Sequence, residues 1–478
     1  MGTIADKLTY LGQTKSEIRD AIISKGGTVT AETPFREYAE RIREIKSETT
    51  VNPDEWKRPA DWLSIEGRVK VGDQKFVGLY AIFEDSNFAA LSATGNYTVD
   101  WGDGVVENYA SGIQANHIYS YSAFPGTDSS RGYRQAIVTV TPQAGQSLTN
   151  INLQRKHTQA GLGAYSTGWL DVRVSGSNIT SFGIGGVVVS HRILEAFSFL
   201  GSNQIADFRK FFLGCSQLQA VLALDTSKGN NFGTMFSSCS ALKNAPMLET
   251  GKGLDFSYMF ESCTQLKTVP LLETSNGASF SGMFYGCSSL KTIPLFNTIK
   301  GIDFSMMFSF NTALETVPLL NFASGEVFTS MFESCSHLRT VPLFETSKAT
   351  DFSYMFQDCV ALQTVPLFKA SSVIDFTSMF FGCVALQTLP AFDTAKAGSM
   401  GGMLTNCTSL SKATFLGTKV TISYVGCKLS RNALVDIFKS LATGVTSKSV
   451  TITNNWGASS LSASEKAIAT GKGWTIIG

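Results

Sequence analysis

From Phe208 to about Ser423 the sequence repeats with a period of 24 residues, and no other feature limits the fold as strongly. Cys215, Cys239, Cys263, Cys287, Cys335, Cys359, Cys383 and Cys407 share one lattice, on which Asn311 fills the vacant point; Cys427 lies off it. Phe208, Phe232, Phe256, Phe280, Phe304, Phe328, Phe352 and Phe376 share the period, as do methionines from Met235 to Met403 and leucines from Leu218 to Leu410. A prolyl column runs from Pro246 to Pro390. A fixed period in the twenties implies a solenoid, each coil stable because its neighbours cover its two flat sides. Nine coils fit, and at ~4.8 Å each they would form a body roughly 45 Å long.

Within a coil, Cys263, Leu266, Val269 and Leu271 match the cysteine-containing pattern of a leucine-rich repeat, which predicts Val269 and Leu271 pointing inward from a short strand. Phe256, Met259 and Phe260 have i, i+3, i+4 spacing and predict one helical or 3₁₀ turn on the opposite side. A column supplies one thiol per coil along a line, whereas zinc needs four ligands converging on a point, and Cys-x-x-Cys is absent. The cysteines therefore read as buried, reduced thiols, with Asn311 taking over their hydrogen-bonding role.

The run Met-Phe-x-x-Cys-x-x-Leu-x-x-Val-Pro, repeated from Met235 to Pro390, resembles the BspA-like leucine-rich repeats of bacterial and phage surface proteins. The resemblance covers nearly half the chain and implies binding, not catalysis. The tail Leu429 to Trp474, with helices expected at Ala433 to Phe438 and Ser462 to Ala469 and a strand at Ser449 to Thr453, looks like the cap of such arrays.

Residues 1–48 carry eight acidic and eight basic side chains and read as a separate helical attachment module. Thr14-Lys-Ser-Glu17 is a capping box, Ile18 and Ile22 share a face, and Gly26-Gly27 ends the helix. A second helix would start at Thr33-Pro34 with the stripe Phe35, Tyr38, Ile42 and Ile45. Two short helices bury little, so this hairpin is expected to pack on another chain or copy through Ile18, Ile22, Phe35, Tyr38 and Ile42. The segment is similar to the leading segment of many phage tail and tail-fibre proteins, which implies attachment to a virion. Residues 49–69, with Pro53 and Pro59, read as a linker. In residues 70–145, Tyr97-Thr-Val-Asp-Trp-Gly-Asp-Gly, His117-Ile-Tyr and Ala136-Ile-Val-Thr-Val resemble a PKD-type β-sandwich. Asp100 and Asp103 invite a calcium reading but lack the alternating oxygen ligands of a calcium loop. The simpler reading has Gly102 and Gly104 shaping a turn that Asp103 bonds, above a core Trp101. Residues 146–205 read as irregular leading coils, 206–427 as the solenoid and 428–478 as its cap. The expected fold class is mixed and mainly β: a leucine-rich-repeat solenoid preceded by a helical hairpin and a PKD-like β-sandwich.

No catalytic constellation emerges. His117, His157, His191 and His337 lie in no nucleophile motif, and Gly161 to Gly168 lacks dinucleotide-loop spacing. Asp255, Asp303, Asp351 and Asp375 read as N-caps of the short helical turns. The chain is therefore expected not to be an enzyme and to need no cofactor or metal. With Val269 and Leu271 inward, Leu272, Leu320, Phe296, Phe344, Phe368 and Phe392 would line the outward, concave face as a binding stripe; alternatively the proline ends the strand and the phenylalanines turn inward. A net charge of +1 provides no field for nucleic acid, and no apolar run approaches the ~20 residues that span a bilayer. Asp6, Lys7, Lys15 and Glu17 interrupt any signal-peptide core. The expectation is a phage virion protein, assembled in the host cytoplasm. Its N-terminal module would contact other virion proteins, and its solenoid a host-surface glycan or protein. A homo-oligomer such as a trimer is common among proteins it resembles. A head, collar or baseplate appendage and a bacterial surface adhesin are the alternatives.

Overall fold

The computed structural model describes residues 56–478 except 125 and 162, together with Lys15, Ile18, Arg19, Val29, Thr30, Thr33 and Pro34. The chain divides into two compact units, Met1–Lys57 and Arg58–Gly478. In the first, Lys15, Ile18 and Arg19 are helical and half-buried, and Thr33 lies in a bend where its hydroxyl accepts from the Thr30 amide. Ile22, Phe35, Tyr38 and Ile42 lie outside the described residues.

The second unit opens with strands β1 (Lys75–Ile82), β2 (Phe88–Thr94), β3 (Tyr97–Asp100), β4 (Val106–Tyr109), β5 (Gln114–Ile118) and β6 (Arg134–Pro142). The irregular stretch that follows carries β7 (Asn150–Asn152), β8 (Tyr165–Ser166), β9 (Trp169–Ser175), β10 (Ser181–Gly183), β11 (Val189–Ser190), β12 (Ala196–Phe199) and β13 (Ala220–Ala223). One sheet has the order β13-β12-β9-β1-β6-β3-β4 and a second the order β10-β7-β2-β5. The first sheet thus runs without a break from the front module into the coils: β1 pairs antiparallel with β9, and β9 parallel with β12. Its core is aromatic, with Phe76 and Tyr80 edge-on to Trp169 at 5.3 and 4.8 Å. The stretch expected to be a linker is packed from Arg58 on: Trp62, Ile65 and Val69 are buried, and Trp62 Nε1 donates to the Tyr133 hydroxyl at 2.9 Å.

From Asp207 to Ser399 a parallel bridge recurs every 24 residues, nine positions among those described, so the predicted period is the structural period. Phenylalanine columns stack along the axis, with Phe256 on Phe280 at 5.6 Å and 9° and Phe260 on Phe284 at 5.7 Å and 1°. Threonine hydroxyls tie coil to coil as well: Thr250 donates to the Glu273 carbonyl and Thr274 to that of Asn297, both at 2.8 Å.

The F-x-x-M-F segment does not form the predicted helical turn. Its alternate amides leave the coil altogether: Tyr258 donates to the Ser281 carbonyl, Phe260 to Met283 and Ser262 to Tyr285, at 2.7–2.9 Å. What remains inside the coil are tight turns closed by Met259 N to Phe256 O, Glu261 N to Tyr258 O and Cys263 N to Phe260 O, the first and last of them with a left-handed residue, Tyr258 (φ 55°) and Ser262 (φ 56°). A 3.6-residue spacing of apolar side chains is satisfied equally well by such turns, whose inter-coil bonds a helix would forfeit. Asp255, Asp303, Asp351 and Asp375 accept from the amide two residues on, at 2.7–2.9 Å, and so cap the first of these turns, not a helix.

The prolyl column explains why the coils carry few regular strands. Proline offers no ladder donor. Where the lattice holds Leu222 instead, β13 forms; at the far end, where it holds Thr414, β14 (Phe392–Asp393) pairs with β15 (Phe415–Leu416). The expected cap is present. Strand β16 (Ile422–Ser423) pairs with β17 (Lys448–Thr451), and β17 with β18 (Trp474–Ile477). Helices α1 (Arg431–Ser440) and α2 (Ala463–Thr470) start at Ser430 and at a Ser462/Glu465 capping box. None of the described helices is long and apolar enough to cross a membrane.

Candidate functional site

All nine cysteines are free and buried, and among the described residues no group of three or more His, Cys, Asp or Glu could hold a metal ion. The thiols are structural donors: Cys239, Cys263, Cys287, Cys335, Cys359, Cys383 and Cys407 each donate to a phenylalanine carbonyl 27 residues earlier, at 3.0–3.2 Å. Burial pushes their thiols up, Cys427 to about 12, away from the thiolate that nucleophilic or metal chemistry requires. Asn311 does not take over this role. Its amide is fully buried, and neither polar atom finds a hydrogen-bond partner.

The histidines sit apart. His117 contacts Asp103 at 2.7 Å and stacks on Trp101 at 4.9 Å; Trp101 is fully buried. The Asp100–Gly104 turn has the simpler geometry: Gly102 and Gly104 are left-handed, and Asp103 accepts from the Val105 amide at 3.1 Å. His157 packs against Phe88, and His337 is exposed. His191 is fully buried beside the Thr167 hydroxyl, and desolvation holds it down to about 3. A pocket of about 340 Å³ near the junction is lined by Phe83, Arg131, Tyr133, Leu170, Ile193, Glu195 and Gln217, and its two charged groups are paired with one another.

The outward stripe is not on the surface; the alternative, in which the proline ends the strand and the phenylalanines turn inward, holds. Leu272, Phe296, Leu320, Phe344, Phe368 and Phe392 are at most 2% exposed, and the last three stack at 6.2 Å within the core. On consecutive coils the residue before each buried position faces outward: Met247, before buried Leu248, is 78% exposed, Leu271 67%, Leu295 59%, Leu319 61%, Leu343 59% and Leu367 55%. The cause is a three-residue turn after the proline. Phe296 donates to the Pro294 carbonyl at 3.0 Å, Leu320 to Pro318 at 2.8 Å and Phe368 to Pro366 at 3.0 Å, which shifts the in-out alternation by one residue. Against the prediction, Leu271 points outward, while Val269 is buried as expected. The alternation was legible backwards from the charged column: with Glu273 out, Leu272 must be in.

The resulting face is regular. Across each coil run an outward column at Lys243, Lys267, Lys291, Glu315, Arg339, Gln363 and Gln387, then threonines such as Thr268, the half-buried prolines and the apolar ridge. The far border is Glu249, Glu273, Asn297, Asn321, Glu345, Lys369 and Asp393. Where either border column reverses sign, it is neutralised by the adjoining coil: Lys291 pairs with Glu315 at 3.0 Å and Lys369 with Glu345 at 2.6 Å. Other apolar side chains, such as Leu254 and Ile374, are also exposed, but six aligned at the same position on consecutive coils mark an interaction surface.

Coils of 24 residues joined by inter-coil bonds around a buried Phe–Met–Cys–Leu core define a solenoid of the leucine-rich-repeat type. The family model described as "Mycoplasma protein of unknown function, DUF285" matches residues 194–293, 254–364 and 326–416, and it fits a BspA-like solenoid. Similar solved structures include the TLR13–ssRNA13 complex, at 16% identity and TM-score 0.25 over 64% of this chain and 50% of that one. Another is the plant peptide hormone receptor RGFR1 in complex with RGF2, at 13% identity and TM-score 0.26 over 62% and 52%. The chain thus spans about half the length of each. No curated protein matches it.

Proposed function

We propose that this chain is a non-catalytic repeat scaffold of a biological surface, whose outward ridge docks a macromolecular partner. The observation that carries the reading is the register of Met247, Leu271, Leu295, Leu319, Leu343 and Leu367, exposed on consecutive coils over a closed core. A small-molecule site would be concave and enclosing; a ladder of protruding side chains suits an extended surface. The leading segment, similar to phage tail proteins, supports the finer reading of a virion protein with its solenoid directed at the host surface. A test is to carry Leu271→Glu, Leu319→Glu and Leu343→Glu together on the particle. Adsorption should fall at least tenfold; undiminished adsorption overturns the reading. The match to a Mycoplasma family favours a second reading, a cellular surface adhesin, which protease shaving of intact producing cells would support by releasing the repeats.

A further inference from the structure

We infer that the partner on this face is a second copy of the same chain, lying parallel to the first with coils level; the inference rests on the ridge being a docking face. It comes from the two charged borders, read coil by coil. Position 267 and its equivalents are followed six residues later by position 273 and its equivalents. The successive pairs are Lys243 with Glu249, Lys267 with Glu273, Lys291 with Asn297, Glu315 with Asn321, Arg339 with Glu345, Gln363 with Lys369 and Gln387 with Asp393. Three levels hold opposite charges, four hold one charge and one neutral group, and none holds two of the same sign.

That pattern becomes an intermolecular one under a single operation. A two-fold axis parallel to the stack, running over the prolyl column, brings position 267 of one copy over 273 of the other at every level, so each opposite pair forms twice. The same rotation places position 271 over 269. Val269 is buried, so the leucine ridge of each copy enters the furrow that Thr268 and Pro270 border on the other. Ridge and furrow lie on opposite sides of the axis and are therefore self-complementary. Antiparallel pairing keeps like columns together and, over the six ridge coils, would set Lys267 against Arg339 and Glu273 against Glu345 while Lys291 meets Glu315 and Glu249 meets Lys369; only the parallel arrangement sets no like charges face to face at any level. Six coils at ~4.8 Å and seven residues at ~3.3 Å give a patch of roughly 650 Å² per copy. The total of about 1,300 Å² falls within the range of specific, stable interfaces.

The experiment uses the full chain. Light scattering at tens of micromolar should give the mass of two copies. Leu295→Glu with Leu319→Glu should give one copy, with an unchanged circular-dichroism spectrum. Lys267→Glu alone and Glu273→Lys alone should each weaken self-association at least tenfold, and the double exchange should recover it, since the two signs are merely swapped. Because the native cysteines are buried, Leu271→Cys introduces an accessible thiol, and a short bismaleimide should link it to its own counterpart in a parallel pair. A one-copy mass for the native chain overturns the inference. So does linkage appearing only when Leu271→Cys chains are mixed with Leu343→Cys chains, the antiparallel signature. A monomer whose ridge variants still lose adsorption retains the docking face and refutes self-pairing alone; a pair whose adsorption ignores the ridge does the reverse.

Discussion

At the scale of the residue, the fifth coil is the informative one, because it departs from the lattice at several points. Asn311 replaces the thiol, Phe322 stands where most coils place the buried threonine, and Phe310 holds φ 62°, a conformation costly for a bulky side chain. An amide buried without partners loses its hydration with no return, at about 1–3 kcal/mol. Asn311→Cys should therefore stabilise the protein by about that amount, because the thiol can donate to the Phe284 carbonyl as its neighbours do in their coils; a denaturant midpoint that does not rise contradicts this. The thiols themselves should be silent towards Ellman's reagent in the native state and all nine should react after unfolding. His191 supplies a pH dependence. Its folded value, about 3, lies below the ordinary 6.5, so between these the unfolded chain binds the extra proton. The stabilisation from keeping it neutral is complete above about pH 6.5 and is lost as pH falls towards 3, at about 1.4 kcal/mol per unit at most. Replacing it by Gln should flatten that part of the stability profile measured by urea melts.

At the scale of the element, small and large columns compensate. In the earlier coils a glycine precedes the phenylalanine stack, and a Cβ at Gly277 would come within 2.7 Å of the Phe280 ring and 3.0 Å of Phe256. In later coils the lattice holds Ala349 and Val373, and there the rings turn edge-on, Phe328 to Phe352 at 68° and Phe352 to Phe376 at 79°. Gly277→Ala should therefore cost about 1–3 kcal/mol by overpacking, measured by thermal melting, whereas Ala349→Gly should cost less. This scale also divides what was legible in the sequence from what was not. The period, the buried Cys, Leu and Val columns, the cap helices and the Asp100–Gly104 turn followed from residue types at fixed spacing. The turns at Phe256 to Cys263 did not, and the register after the prolines was legible only as an alternative, because both depend on where backbone donors go. Apolar spacing does not say whether an amide bonds within its coil or to the next one. The ridge was missed by one residue for that reason, and the signal that would have corrected it was Glu273, not the leucines.

At the scale of the whole molecule, the stack must be closed at both ends. The leading end is closed by the sheet that continues into the front module, the trailing end by β17, β18 and the two cap helices. Removal of residues 429–478 would bare the edge at Ile422–Ser423 and the otherwise buried Phe415, Tyr424 and Cys427. Such a chain should aggregate, seen as scattering at concentrations where the full chain stays clear. The unbroken sheet at the leading end also determines how the molecule answers a pull. With β9, β12 and β13 hydrogen-bonded side by side, module and repeats share one sheet, so traction on the C-terminus should strip the cap first and then unwind the coils in turn. Each winding of 24 residues would pay out roughly 80 Å of slack, which makes the array a shock absorber with a fixed tooth length.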